Sequence, residues 1–302
     1  MPSGFKLRTQ GFATFSTVVH SWTTGRARER MLIALLVGTL AACHHDVRPA
    51  SPSASTPRSS LALKITGDPE SAAGATWTLT GTMESTSVDL QGILLKPRGK
   101  GPFPAVVLSH GAGSNAHAFG GELGAVMRGW GLVSIATNYT HAYDVPPGAP
   151  GTLLEQGASE ANVFRAHAAV AALARLGYVD LRRVAAHGHS MGAFVTTAFV
   201  AAHPDEVRVA SHTAGGVVLN AIHVPGIPAP SEAQARRIHT PYQWHHGLAD
   251  FAVPFLLDER FDRLLGGPLQ GYIYRGLRHT TVAADPTVLK RIRAWYAAQG
   301  LL

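Results

Sequence analysis

Cysteine occurs once in the 302 residues, at position 43, so no internal disulfide can brace the fold. Charged residues are also scarce, 15% of the chain against 46% hydrophobic, a balance that excludes general disorder and supplies a sizeable core. Several function signatures are missing. There is no Walker A sequence and no His-Glu-x-x-His pair. Gly111-Ala-Gly113 would need a glycine at position 116 to read as a dinucleotide loop, and that position is Ala116. The 16 histidines have no cysteine partners and no paired carboxylates at ligand spacing, so no metal site is expected.

The net charge of +7 does not imply a nucleic-acid partner, because the basic residues do not gather on one element. Lys6, Arg8, Arg26, Arg28 and Arg30 lie in the first thirty positions and the others are scattered. No zinc finger, basic helix or interleaved aromatic patch accompanies them.

The chain's N-terminal apolar run, Met31 to Ala42, follows the arginines at 26, 28 and 30. It has the length of a signal h-region and is too short to span a bilayer comfortably. Its end, Leu40-Ala-Ala-Cys43, resembles the bacterial lipobox, in which the cysteine is lipidated and opens the mature chain. The resemblance implies export and a membrane anchor on Cys43, with the protein on the periplasmic face of a bacterial membrane, or periplasmic or secreted. The competing reading is an apolar helix that happens to end in cysteine. Arg48 to Arg58, rich in Pro, Ser and Ala, can neither bury apolar area nor repeat a helical period and reads as a tether. The expected division is 1–42 for export, 43–60 for a linker and 61–302 for one domain.

From Ala62 onward extended and helical segments alternate, the pattern of a doubly wound, mostly parallel α/β sheet. Strands are predicted at 76–83 and 88–95 as an antiparallel entry pair, then at 104–109, 131–137, 183–187, 207–212, 241–245 and 270–274. Helices are predicted at 121–128, 158–176, 191–202 and 287–299.

Gly188-His-Ser-Met-Gly192 falls at the junction of a predicted strand and helix, the context that the G-x-S-x-G pattern requires. The sharp turn leaves room only for glycine two residues to either side of Ser190, and the helix aims its free N–H groups at the same spot. A serine nucleophile needs a base and a group that orients the base. Asp250, in His246-Gly-Leu-Ala-Asp250 with Val253-Pro254, follows one late strand; His279 follows the last one. Asp180 is expected before its strand and Asp258 in a helix, which leaves Asp250 as the acid. Its competing reading is a loop-capping carboxylate.

Together with Ser109-His-Gly-Ala-Gly113, these pieces make the chain from about Thr76 to Gln299 resemble an α/β-hydrolase, nearest the dienelactone-hydrolase-like and acyl-esterase branch. The resemblance implies a serine hydrolase that cleaves carboxylic esters through an acyl-serine intermediate and needs no cofactor. It implies Ser190 as nucleophile, His279 as base, Asp250 as its orienting acid, and an oxyanion hole from the N–H groups of Met191 and Ala112, with Gly113 as substitute for the latter. Dienelactone hydrolases proper use a cysteine nucleophile; here position 190 is serine. His110, His187, His189, His245 and His246 are expected to pack around the nucleophile. Asn138, Tyr139, His141 and Phe251 are expected near the cleft. The link from Thr213 to Ile238 is too short for a large cap, so the expectation is an open cleft for small or polymeric esters. Two alternatives stand: an exported peptidase or amidase of the same fold, and a catalytically silent surface lipoprotein that binds.

Overall fold

The computed structural model describes residues 60–143, 151–218, 222–223 and 226–302. The export segment, Cys43 and nearly all of the tether lie outside them. The chain opens with β1 (Ser60–Gly67), β2 (Ala75–Met83) and β3 (Thr86–Leu95), an antiparallel meander. Next come β4 (Phe103–Ser109), α1 (Ala116–Arg128), β5 (Val133–Thr137), α2 (Glu160–Leu173), β6 (Val179–His189), α3 (Met191–Ala202) and β7 (Val209–Thr213). A short hairpin, β8 (Ile222–His223) and β9 (Ile227–Pro228), leads to α4 (Glu232–Arg236). The chain then runs through β10 (Tyr242–Gly247), α5 (Leu256–Asp262), β11 (Leu269–Tyr274) and α6 (Pro286–Ala298).

The nine-stranded sheet has the order β1-β2-β3-β5-β4-β6-β7-β10-β11. From β5 to β11 every neighbouring pair is parallel. The central strands are buried along nearly their whole length, as expected where helices cover both faces; β4 is almost wholly apolar, while β7 and β10 bury Ser211, His212, Gln243 and His245 among their apolar side chains. Alternation along β4 shows the two faces: Val106 and Leu108 join Leu123, Met127, Ile292 and Trp295 of α1 and α6, while Ala105 and Val107 join Ala168, Ala172 and Leu173 of α2. Each large buried side chain contributes about 1.5–3 kcal/mol.

Topology places the site. From β4 the chain crosses to β5 on one side, then returns to β6 on the other, so the carboxyl ends of β4 and β6 flank the point where strand order reverses, where open α/β sheets bind ligands. Ser109 closes β4 and His189 closes β6 there.

The structure differs from the sequence expectations in a few elements. β1 lies at the sheet edge and was not predicted, although Leu61, Leu63 and Ile65 alternate at the period of a strand and pack against the core. α1 begins five residues earlier than predicted because Asn115 caps it, accepting from the Ala118 N–H, and Asn138 Oδ1 takes the Ala116 N–H. β6 begins at Val179, which puts Asp180 inside the strand, paired with Arg182 and Arg183. In the 213–238 link the described residues form only β8, β9 and the five-residue α4, and among them no cap domain is present. No described helix is long and apolar enough to cross a membrane.

Candidate active site

Ser190 stands between β6 and α3 with φ 59° and ψ −123°, a left-handed conformation that costs a side-chain-bearing residue about 1–3 kcal/mol. The flanking glycines make it possible. A Cβ on Gly188 would stand 2.1 Å from the Gly192 carbonyl oxygen, and one on Gly192 would stand 1.9 Å from that of Ser109. The turn is therefore pressed against the end of β4.

His279, on the loop after β11, and Asp250, on the loop after β10, reach this serine from 89 and 60 positions away in sequence. Ser190 Oγ donates to His279 Nε2 at 2.9 Å, and His279 Nδ1 donates to Asp250 Oδ2 at 2.7 Å. Asp250 also does what its competing reading expects, since Oδ1 accepts the N–H groups of Ala252 and Val253 at 2.8 and 2.9 Å. One oxygen fixes the loop; the other faces the histidine. Burial alone would raise the Asp250 carboxyl, but hydrogen bonds from His246, His279 and the Val253 N–H outweigh it and hold it well below the usual carboxylate range. The carboxylate is thus ionised at any neutral pH.

The neighbouring histidines play other parts. His187 bonds Ser211 and His189 bonds Thr213, and neither contacts Ser190 Oγ through a hydrogen bond. Burial, together with other nearby imidazoles, pushes both down to about 3, so both are neutral. His110 accepts the Tyr139 N–H at Nε2, which leaves its proton on Nδ1 to donate to the Gly111 carbonyl at 2.9 Å. His141 Nε2 in turn donates to the His110 carbonyl. Burial and the neighbouring His141 take His110 down to about 3. The glycine loop after β4 is thereby held from two sides.

A cleft of about 450 Å³ opens at Ser190. Gly111, Ala112 and Gly113 form one wall with Phe119, Leu123 and Val126 of α1, and His279, Ala283, Ala284 and Leu289 form the other. Met191, the first residue of α3, follows the serine directly, and the first N–H groups of a helix have no intrahelical partner. Asn138, Tyr139, His141 and Phe251 do not line this cleft, contrary to expectation. Tyr139 and His141 are buried beneath the glycine loop, Asn138 caps α1, and Phe251 is 95% exposed on the outer side of the Asp250 turn. Position after a strand puts a residue at the right end of the sheet without deciding which way it faces.

A larger cavity, about 800 Å³, lies elsewhere, lined by Val88, Phe164, His167 and His203 among others. Beside it His167, His203 and Glu206 bring ligand atoms within 4.8 Å of one another, a grouping that the sequence spacing did not disclose. The two rings stack at 4.3 Å with planes 12° apart, and one ion cannot lie in both of two parallel, separated ring planes. His167 Nδ1 instead pairs with Glu206 at 2.6 Å. The grouping is better described as an ion pair with a stacked imidazole.

No family model matches the sequence, nor does any curated protein. Solved structures do match in fold. A puromycin-hydrolyzing peptidase of Mycobacterium tuberculosis is 20% identical with a TM-score of 0.59 over 79% of this chain, which spans only 46% of that protein. An acetyl xylan esterase of Paenibacillus sp. R4 is 13% identical with a TM-score of 0.59, covering 80% of this chain and 89% of its own. The alpha/beta hydrolase GrgF of Penicillium sp. sh18 is 16% identical with a TM-score of 0.59, covering 74% and 98%. The chain has the α/β-hydrolase fold. At these identities the likeness reaches the fold and does not select the dienelactone-hydrolase-like branch. An α/β-hydrolase core hosts several chemistries, so activity has to be argued from the site.

Proposed function

We propose that this protein is a serine hydrolase that cleaves carboxylic esters. The observation that carries this reading is the unbroken line of hydrogen bonds from Ser190 through His279 to Asp250, at 2.9 and 2.7 Å, at the mouth of the apolar cleft. His279 Nε2 takes the serine proton as Oγ attacks the acyl carbonyl, and the Asp250 carboxylate keeps the imidazole in the Nδ1–H tautomer and stabilises the imidazolium. The N–H groups of Met191 and Ala112 receive the developing oxyanion; loss of one such donor typically costs about a hundredfold in rate or more. His279 then protonates the leaving alcohol, and water, activated by the same imidazole, releases the acid from Ser190.

The ester reading is preferred to the peptidase reading on the lining of the cleft. The cleft's lining of Phe119, Leu123, Val126 and Leu289 suits a small uncharged acyl group or the end of a larger ester. A silent binding protein is disfavoured because three separated side chains keep hydrogen-bonding geometry around a strained serine.

The reading includes export and lipid anchoring through Cys43, supported by the lipobox-like end of the apolar run. The test is labelling by a fluorophosphonate probe beside a panel of p-nitrophenyl esters. Wild-type protein is expected to label and to turn over the esters, and Ser190→Ala to do neither; equal labelling of both proteins rejects Ser190 as nucleophile. In the native host Cys43→Ala should move the protein from the membrane to the soluble fraction, and an unchanged membrane fraction rejects the anchor.

A further inference from the structure

Behind Asp250 stands a second acid–imidazole pair, wholly buried, that the mechanism above does not use. His246, at the end of β10, turns one ring nitrogen toward each of two carboxylates. Its Nδ1 lies 2.5 Å from Asp258 Oδ2 of α5, and its Nε2 lies 2.9 Å from the Val253 carbonyl oxygen and 3.3 Å from Asp250 Oδ2. A carbonyl oxygen can only accept, so Nε2 carries a proton. The Asp258 carboxylate accepts at the other nitrogen, because its Oδ1 already takes the His212 Nε2–H at 2.6 Å and the Gly215 N–H points at Oδ2. A ring that donates from both nitrogens is an imidazolium.

We propose that His246, held as an imidazolium by Asp258, is a positioning residue that sets the charge Asp250 presents to His279. The inference rests on the serine-hydrolase reading for its catalytic consequence, though not for the protonation of His246 itself. The Asp250 carboxylate on His279 and the Asp258 carboxylate behind it would each favour the charged form of that ring; the cation between the two carboxylates offsets a full charge. The residue thereby lets Asp250 orient the base without over-stabilising its protonated state.

The ionisable groups that face His246 are Asp250 on its own loop, Asp258 from α5, His212 of β7 through Asp258, and His279 and His189 from beyond Asp250. Burial favours the neutral ring, but the hydrogen bonds to Asp250 and Asp258 and the Asp258 charge push His246 up to about 10. Burial likewise opposes ionisation of Asp258, yet the His212 and His246 contacts bring it down to about 2. Both directions agree with the geometry.

The test uses full-length protein labelled with 15N-histidine, together with His246→Gln and Asp258→Asn. In Asp258→Asn the amide can still accept from His212 and donate to His246 Nδ1, so the pocket stays filled while the ring becomes neutral. In wild-type protein one imidazole, absent from the His246→Gln spectrum, is expected to keep both nitrogens protonated between about pH 6 and 9. In Asp258→Asn its Nδ1 should be unprotonated over that range.

With a p-nitrophenyl ester, the acidic limb of kcat/KM should move up by about one pH unit in His246→Gln, which leaves both carboxylates without the cation, and stay near its wild-type place in Asp258→Asn, which removes one carboxylate and the cation together; in His246→Gln this lowers the rate about tenfold at the acid end relative to the plateau. A His246 nitrogen without a proton in wild-type protein overturns the proposal. So does a kcat/KM of His246→Gln that falls by the same factor at every pH. If no ester is hydrolysed the catalytic reading fails, and the spectrum still decides the state of His246.

Discussion

Gly192 lies so close beneath Ser109 that a Cβ on it would stand 1.9 Å from the Ser109 carbonyl oxygen. The contact is with backbone in the central strand, which cannot step aside without breaking its pairing with β6. Gly192→Ala is therefore expected to destabilise the fold by more than the roughly 1–3 kcal/mol typical of overpacking. A thermal melt or the soluble yield measures this, and a wild-type melting point would show that the turn is looser than described.

Strain at Ser190 can be isolated by comparing two inactive variants. Ser190→Ala and Ser190→Gly both lose the hydroxyl that bonds His279, but only glycine accepts φ 59° freely. The glycine variant is expected to be the more stable by about 1–2 kcal/mol, several degrees or less in melting temperature. Equal midpoints would mean the backbone relaxes once the side chain is gone.

Ala284 lines the cleft at its exposed rim opposite α1. Ala284→Trp should narrow the slot and penalise longer acyl chains. We expect kcat/KM for a hexanoate ester to fall about tenfold more than for the acetate, within the range set by one or two methylenes. If both esters lose equally, the slot does not hold the acyl chain.

Stability should fall steeply on the acid side. Burial first, with neighbouring charges second, holds His110 at about 3, His141 at about 4, His187 and His189 at about 3, and His245 well below the ordinary 6.5. A depressed folded value means that stability is intact above 6.5 and is lost as pH falls toward 3–4, because the unfolded chain binds the extra protons. His246 has the opposite sign: its contribution is complete below 6.5 and fades as pH rises through about 10. Each buried neutral ring contributes a slope of up to about 1.4 kcal/mol per pH unit. Melting temperature measured from pH 7.5 to 4.5 should drop throughout the lower half of that range, and a flat profile would mean these rings are not sealed from water.

Much of the fold was legible because strands such as β4 are short apolar runs bounded by turns and the longer helices carry clear start and stop signals. α3 has the predicted bounds, Met191–Ala202, since the serine turn begins it and Pro204 lies just past its end. The short elements β8, β9 and α4 were not legible because two to five residues are too few to show a period; the edge strand β1 went unpredicted although Leu61, Leu63 and Ile65 alternate as a strand requires. Of the site, the sequence placed Ser190, Asp250 and His279 each after a different parallel strand, and thus at one end of the sheet.

What the sequence by itself determined is local: a glycine on either side of Ser190 because the turn admits no Cβ, an apolar lining for the central strands, and loop positions for an acid and a histidine. Tertiary structure alone decided distances and facing. It set His279 between Ser190 and Asp250, turned Tyr139 and His141 inward and Phe251 outward, and trapped His246 between Asp250 and Asp258. Those outcomes depend on how neighbouring strands are offset and how α5 packs behind β10. Side-chain direction at a strand end and the charge of a buried ring follow from partners far away in the chain, which no local pattern encodes.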